Sequence, residues 1–364
     1  MIANYKALHQ LLPSFSPRDA IGNEAVIMQR TLRGLGLRSE IFAEQGEARG
    51  LDELFSTDLA QSALLYHFSI ASTIPGRIAP LRLPKLVRYH SITPPWFFNS
   101  QGELMAQQAC SLGRRQIPMV GVIADAVLAD SAHNAAEINP YSEKPATVMP
   151  LLRDYESLTQ LAHRFDPLPE SPALSRPALL FVGRIAPNKC QQDLLILLSL
   201  AQKFIAKDLR LILVGGFFST DFHRQFCDLA AHLGLRIGAD LQTDHGADVV
   251  IPRDVADADM ALIYRQARAF VSMSEHEGFG VPLVEAMFFD LPILAHRSSA
   301  VPETLGEAGL LVDKNDWPTT LAALKAILQD EELRSKLTIA MRQRRKALSL
   351  NSGLQQFNQW LNSF

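Results

Sequence analysis

Apolar residues recur at helical spacing over 24–36, where Met28, Leu32 and Leu35 share one face and Gly36 is placed to end the helix. Short apolar runs at Ser39–Ala43, Ala63–His67, Lys85–His90, Met119–Ile123 and Ala126–Ala129 predict strands, with helical or irregular segments between them. Beyond residue 177 the alternation sharpens. Strands are predicted at Ala178–Val182, Leu209–Val214, Val249–Ile251, Ala269–Met273, Leu291–Ala295 and Gly309–Val312. The helix 190–206 lies between the first two, and another carries Phe222, Phe226, Leu229 and Leu233 on one face. A further helix starts near Asp257, and Asp316 and Pro318 suit the start of one over 317–328. Strands alternating with helices at this spacing predict parallel, doubly wound sheets. The prolines between Pro140 and Pro177, densest at 166–172, mark the linker, so the pattern predicts two α/β domains with a cleft between them as the default site.

Composition narrows the classes. A chain of 364 residues exceeds one ordinary core, and 48% hydrophobic with 20% charged residues excludes disordered and collagen-like classes. A net charge of −3 supplies no basic field, so nucleic acid is not an expected partner. Cys110, Cys190 and Cys227 show no metal-ligand spacing and read as reduced packing thiols. The opening MIANYKALHQLL lacks a signal-peptide pattern, and no run approaches the roughly 18 to 20 apolar residues of a membrane span. The expected location is the cytoplasm, with peripheral contact at the inner membrane face as an option.

Candidate chemistry concentrates in Ser274–Met287, which follows a predicted strand and opens a helix. Pro282 suits a first helical turn, and Gly278 and Gly280 let the loop amides approach a ligand closely. Free amides at a helix start favour a phosphate or a polar sugar. Glu277 stands before the helix and Glu285 about one turn inside it, so both carboxylates can accept from paired hydroxyls of a sugar ring and a ribose. Arg184 and Lys189 follow a strand. Surface ion pairing is the default for isolated cations, but that position favours a phosphate, which Arg184 meets with a planar fork and Lys189 with a point charge.

The string closely resembles glycosyltransferase family four. The hallmark is a Glu, seven residues and a second Glu, with Gly-Phe-Gly after the first, as at Glu277, Gly278, Phe279, Gly280, Val281 and Glu285. Phe181-Val182-Gly183-Arg184 with Lys189, and the stretches 291–295, 300–306 and 308–312, extend the resemblance. It implies an α/β chain of two Rossmann-like domains (GT-B) facing across a deep cleft. The first, 1–165, is joined by a C-terminal helix at 352–364 and takes the acceptor, while the second, 172–350, takes the donor. It further implies a retaining, metal-independent hexosyltransferase of the bacterial surface-polysaccharide type, with a nucleotide-diphosphate sugar as substrate and no cofactor. Arg184 and Lys189 would hold the diphosphate beside Gly183, Glu285 the ribose, and Glu277 with residues 278–281 the transferring sugar.

In the first half, Arg18–Glu24 resembles the family loop that faces the donor phosphates, through Gly22 and Asn23, although Asp19 or Asn23 can equally cap the helix. Tyr66–Ile70 and Arg88–Pro95 resemble segments of surface-polysaccharide transferases. The match places His90 beneath the sugar, where it can hydrogen-bond a hydroxyl or steady a cationic transition state, while His67 reads as a packed strand residue. No metal is expected: Asp257 and Asp259 suit helix capping and the helix dipole better than an ion.

Asp254 occupies the position that borders the base, and its carboxylate can accept from both guanine donors, which favours a GDP-sugar, with mannose preferred, over a UDP-sugar. Arg253 stands where the family has glycine. The acceptor, a saccharide or a lipid-linked one, is hardly specified. The segment Gly76–Lys85 mixes cations with apolar residues and suits either an anionic membrane or a solvated loop, and Arg342, Arg344, Arg345 and Lys346 read as an exposed helix face. A degenerate binding or assembly subunit and a sugar-nucleotide epimerase are the rival readings.

Overall fold

The structure is a computed structural model that describes residues 5–164, 176–240, 244, 246–252 and 255–363. The chain divides into two compact units. The first comprises the chain up to Asn99, Leu104–Arg153 and the part from Leu348 onward, and the second comprises Ser100–Glu103 and Asp154–Ala347.

The first unit is built on β1 (Ala7–Phe15), β2 (Ile41–Gly46), β3 (Arg49–Gly50), β4 (Ser62–Phe68), β5 (Lys85–Tyr89), β6 (Ala126–Ala129) and β7 (Thr147–Val148). They form one sheet in the order β3-β2-β1-β4-β5-β6-β7, with every pairing parallel. All seven residues of β4 are buried, as helices covering both faces of a parallel sheet require. Leu8, Leu65, Leu86 and Leu128 pack with Met28 and Leu32 of the helix Ala20–Gly34, and Phe357, Trp360 and Leu361 of the last helix, Leu350–Ser363, complete this core.

The apolar run Met119–Ile123, expected as a strand, is instead the last part of the helix Leu104–Ile123. Its burial has helical spacing: Ile117, Val120 and Gly121 face inward, whereas Val122 is 74% exposed. A short apolar run carries no period of its own, so strand and buried helix look alike in it.

In the second unit the strands are β8 (Ala178–Val182), β9 (Arg210–Val214), β10 (Ile237–Gly238), β11 (Val249–Val250), β12 (Ala269–Ser272), β13 (Ile293–His296) and β14 (Leu310–Val312). Their order is β10-β11-β9-β8-β12-β13-β14, again parallel throughout. The winding reverses between β1 and β4 in one sheet and between β8 and β12 in the other. Open α/β sheets bind ligands beyond the strand carboxyl ends at such reversals. The loops leaving β8 and β12 are those that carry Arg184, Lys189 and Glu277.

Candidate functional site

The loop after β8 is held by backbone rather than by bulk. Ile185 N–H donates to Gly216 O (2.9 Å) and Phe218 N–H to Ile185 O (2.8 Å), lacing it to the loop after β9. That close approach needs glycine: Gly215 has φ +150°, and a Cβ there would stand 2.1 Å from Gly183 O. The buried Gln191 donates from Nε2 to Arg184 O (2.9 Å) and accepts from Ala186 N–H (3.2 Å). The Arg184 backbone is therefore fixed while its side chain stays exposed, with the guanidinium over the Phe218 ring at 5.6 Å.

Asn188 joins this loop to the one after β12: its carbonyl accepts from Glu275 N–H (2.9 Å), and its amide nitrogen donates to His276 O (3.3 Å). The pairing brings Lys189 Nζ within 2.6 Å of Glu277 Oε2, with both side chains partly exposed. Glu277 N–H donates to Ser299 Oγ (2.8 Å), and Thr304 Oγ1 donates to Phe279 O (2.5 Å), so two residues beyond β13 shape the glycine loop. Gly280, at φ +92°, leads into the helix Val281–Phe288, with Pro282 in its first turn. Glu285 is buried and its Oε2 accepts from Tyr264 OH (2.7 Å), while the Tyr264 ring stacks on Phe289 with centroids 5.1 Å apart.

Gly183, Arg184, Lys189, Glu277, Gly278, Phe279 and Gly280 thus lie on adjacent loops of one unit, and Val281 and Glu285 on the helix that the second loop opens. Asp254, like Arg253, lies outside the described residues. Sequence reasoning missed Asn188, Gln191, Tyr264 and Ser299. Asn188 stands beside Lys189 and was within reach, but Tyr264 reads as one more apolar position of its helix. Also missed was Lys314, which reaches Asp193 Oδ2 (2.7 Å) and Glu275 Oε1 (2.5 Å). Burial works against its charge, but these two carboxylates outweigh burial and hold its ammonium above the ordinary lysine range. Burial pushes the Cys190 thiol up to about 11, so it stays protonated and unreactive.

Three surface readings change. Lys85 is buried, its ammonium donating to Leu81 O (2.8 Å) and Leu83 O (3.1 Å), and Arg77 pairs with Asp52 (2.6 Å), so residues 76–85 present fewer free cations than their composition suggests. On the helix Glu331–Leu348, Arg342 and Lys346 are exposed as expected, but Arg344 and Arg345 are half-buried and help fasten the helix: Arg342 and Arg345 pair with Asp290, and Arg344 donates to Thr304 O and Glu303 O. Asp257 and Asp259 lie inside the first turn of the helix Asp257–Gln266, where they favour its dipole, but Ala256 holds the cap position and no side chain caps it.

In the first unit, Asp19 caps the helix Ala20–Gly34 by accepting from Gly22 N–H (2.6 Å). A Cβ on Gly22 would stand 1.9 Å from Ser16 O, so this tight entry requires glycine, and Asn23 follows it in the first turn. One position on, the fully buried Glu24 receives a two-pronged bond from Arg88, Nε to Oε2 (3.1 Å) and Nη2 to Oε1 (2.8 Å). Arg88 Nη2 also lies 2.8 Å from Asp130 Oδ1, an ion-pair contact off the hydrogen-bond axis. His90 is buried just beyond β5, with Nδ1 3.1 Å from Asp130 Oδ2 and Nε2 3.0 Å from His67 Nδ1. Ligand-type atoms of Glu24, His67 and His90 fall within 4.8 Å of one another, and protein groups already engage all three side chains.

Residues 169–344 match the family described as Glycosyl transferases group 1. The second unit is a group 1 glycosyltransferase domain. Similar curated proteins include the O-antigen chain mannosyltransferase B of Escherichia coli, 39% identical over 84 residues, 23% of this chain and 22% of that protein. A D-inositol 3-phosphate glycosyltransferase of Corynebacterium kroppenstedtii is 31% identical over 166 residues, 44% of this chain and 35% of that one. The phosphatidyl-myo-inositol mannosyltransferase of Mycolicibacterium smegmatis is 30% identical over 162 residues, 43% and 37% respectively. The chain thus spans well under half the length of these relatives, and the group 1 domain carries the likeness. Across both units, the sucrose-phosphate synthase of Thermosynechococcus elongatus superposes with a TM-score of 0.73 at 17% identity, covering 98% of each chain. Anabaena HepE, solved with UDP and glucose, gives 0.72 at 15% identity over 98% of this chain and 100% of that one. At such identities the likeness concerns the fold alone, which is GT-B.

Proposed function

We propose that the protein transfers a hexose from a nucleotide-diphosphate sugar to a saccharide or lipid-linked acceptor, with retention of anomeric configuration and without a metal ion. The observation that carries this reading is the Lys189–Glu277 ion pair at 2.6 Å, set between the two loops at the winding reversal of the second sheet. Without donor, the two charges neutralise each other. An arriving diphosphate competes for Lys189, and Glu277, once released, accepts from sugar hydroxyls. Arg184, exposed on a fixed backbone, closes on the phosphate as a fork, and charge gathering on the leaving group meets cations that need no rearrangement. Glu285, held by Tyr264, takes the ribose. The leaving diphosphate oxygen receives the acceptor proton.

The two mannosyltransferase relatives support mannose as the sugar, and the O-antigen one supports surface-polysaccharide synthesis as the setting. With mannose, guanosine diphosphate is the preferred carrier, and the base would rest against Asp254. A screen of nucleotide sugars for donor hydrolysis, with calorimetry on GDP and UDP, tests this. GDP-mannose should be turned over, with Glu277→Ala inactive, and GDP should bind more tightly than UDP. Tighter UDP binding overturns the guanine assignment, and no turnover of any donor overturns the transfer reading.

A further inference from the structure

The buried polar chain of the first unit fixes its own protons. Ala25 O is a carbonyl and can only accept, so Gln10 must present Nε2 to it (2.9 Å) and turn Oε1 toward His67 Nε2 (2.9 Å). His67 Nε2 therefore carries hydrogen. At the far end, His90 Nδ1 faces Asp130 Oδ2 at 3.1 Å, and Asp130 is a carboxylate because Arg88 lies against it, so Nδ1 carries hydrogen as well. Two neutral rings so oriented would point bare lone pairs at each other across the 3.0 Å between His67 Nδ1 and His90 Nε2. The rings lie within 6° of parallel, as an in-plane N–H···N bond allows. One further proton is needed there, and the surroundings choose its seat. Besides His90, His67 hydrogen-bonds the neutral Gln10, and the cation of Arg88 opposes a charge on its ring, whereas His90 has Asp130 at 3.1 Å on one side and Glu24 Oε2 at 3.7 Å on the other.

We infer that the His67–His90 pair holds one proton more than two neutral imidazoles, that it makes His90 an imidazolium, and that Gln10, His67 and Asp130 are positioning residues that fix this cation at the carboxyl end of the first sheet. Charge counting agrees: Arg88 and His90 balance Glu24 and Asp130, whereas a neutral pair would leave one uncompensated buried negative charge. Burial first, then the neighbouring His90 and Arg88, holds His67 well below the ordinary histidine range, so it stays the neutral acceptor. Burial alone would raise the Asp130 carboxyl, but Arg88 and His90 outweigh it and keep it below the ordinary carboxylate range. A histidine in this state donates from both nitrogens and has no lone pair to act as a base. The protonation stands on hydrogen-bond geometry alone, and only its use beneath a sugar rests on the proposed transfer.

Nitrogen-15 spectra of histidine-labelled, unliganded full chain at about pH 7.5 test it, together with metal analysis of the same sample. Expected are two protonated nitrogens on His90 and a single Nε2–H on His67. In Asp130→Asn, His90 should lose one of its two N–H signals. A bare nitrogen on His90 in the wild type overturns the inference, as does one metal ion per chain bound to the pair. Unchanged His90 signals in Asp130→Asn overturn the positioning role of Asp130. Should that variant not fold, the wild-type spectrum still decides the protonation. Because no donor is added, a failure here is distinct from a failure of the transfer reading.

Discussion

Lys189 and Glu277 depend on each other before any substrate arrives. In Lys189→Ala the carboxylate of Glu277 loses its counter-ion and the diphosphate loses a cation, so donor turnover should fall by about two to three orders of magnitude. Arg184→Lys should recover little of what Arg184→Ala loses, because an ammonium cannot replace a planar fork. Initial rates of donor hydrolysis check both, and a near-wild-type rate in either alanine variant would remove that side chain from the site. His67 makes a pH prediction. Its buried ring refuses a proton that the unfolded chain takes up below about pH 6.5, so the contribution of His67 is complete above that value and declines as pH falls through it, by up to about 1.4 kcal/mol per pH unit. Asp130, held low in the folded state, adds a loss in the same direction at still lower pH. Melting temperatures should fall as pH drops below about 6, where the unfolded chain protonates both His67 and His90 and the folded pair holds a single proton, and a rise over that range would contradict this. At this scale the motif residues were legible because the motif is contiguous. Ser299, which bonds Glu277 from beyond the next strand, was not.

Elements carry the buried ion pair. Arg88, at the end of β5, grips Glu24 in the helix Ala20–Gly34 and also donates to Met149 O (2.9 Å), while Leu152 N–H donates to Glu24 Oε1 (2.8 Å). One residue pair therefore ties a strand, a helix and the segment after β7. Arg88→Met strands the Glu24 carboxylate in the interior and should cost about 3 to 5 kcal/mol. The double change Arg88→Met with Glu24→Gln should recover part of it. Denaturant unfolding of the wild type, Arg88→Met, Glu24→Gln and the double variant tests this coupling, and additive losses would show that the pair does not act as a unit. The helix Leu104–Ile123 shows why elements were only partly legible: its last apolar residues match a strand as well as a helix until the neighbouring sheet shows which face is covered.

No helix among the described residues is long and apolar enough to cross a membrane. The helix Leu104–Ile123 instead leaves Met105, Leu112, Met119 and Val122 exposed along one side. Trp96 and Arg115 line a groove of about 490 Å³ with Leu112. An apolar stripe with an aromatic and a cation suits a lipid headgroup boundary, and it is a better candidate for membrane contact than residues 76–85, whose charges are largely engaged. Met105→Glu with Leu112→Glu should release the protein from anionic vesicles in co-sedimentation, whereas Arg82→Glu should change little. Vesicle binding unaffected by the paired change would discard this face.

The amino-acid sequence by itself determined the class of structure and the resemblance to group 1 glycosyltransferases. Alternating apolar runs and helical periods are local quantities, and the glycine loop with its two glutamates is a motif of a few consecutive residues. Tertiary structure alone decided which distant side chains meet. The order of strands brought the loops after β8 and β12 together, so that Lys189 faces Glu277. Packing drew Gln10, His67, His90 and Asp130 from four neighbouring strands and their ends into one hydrogen-bonded row. Protonation in that row depends on distances of about 3 Å between residues far apart in the chain, and no periodicity along the chain encodes such distances.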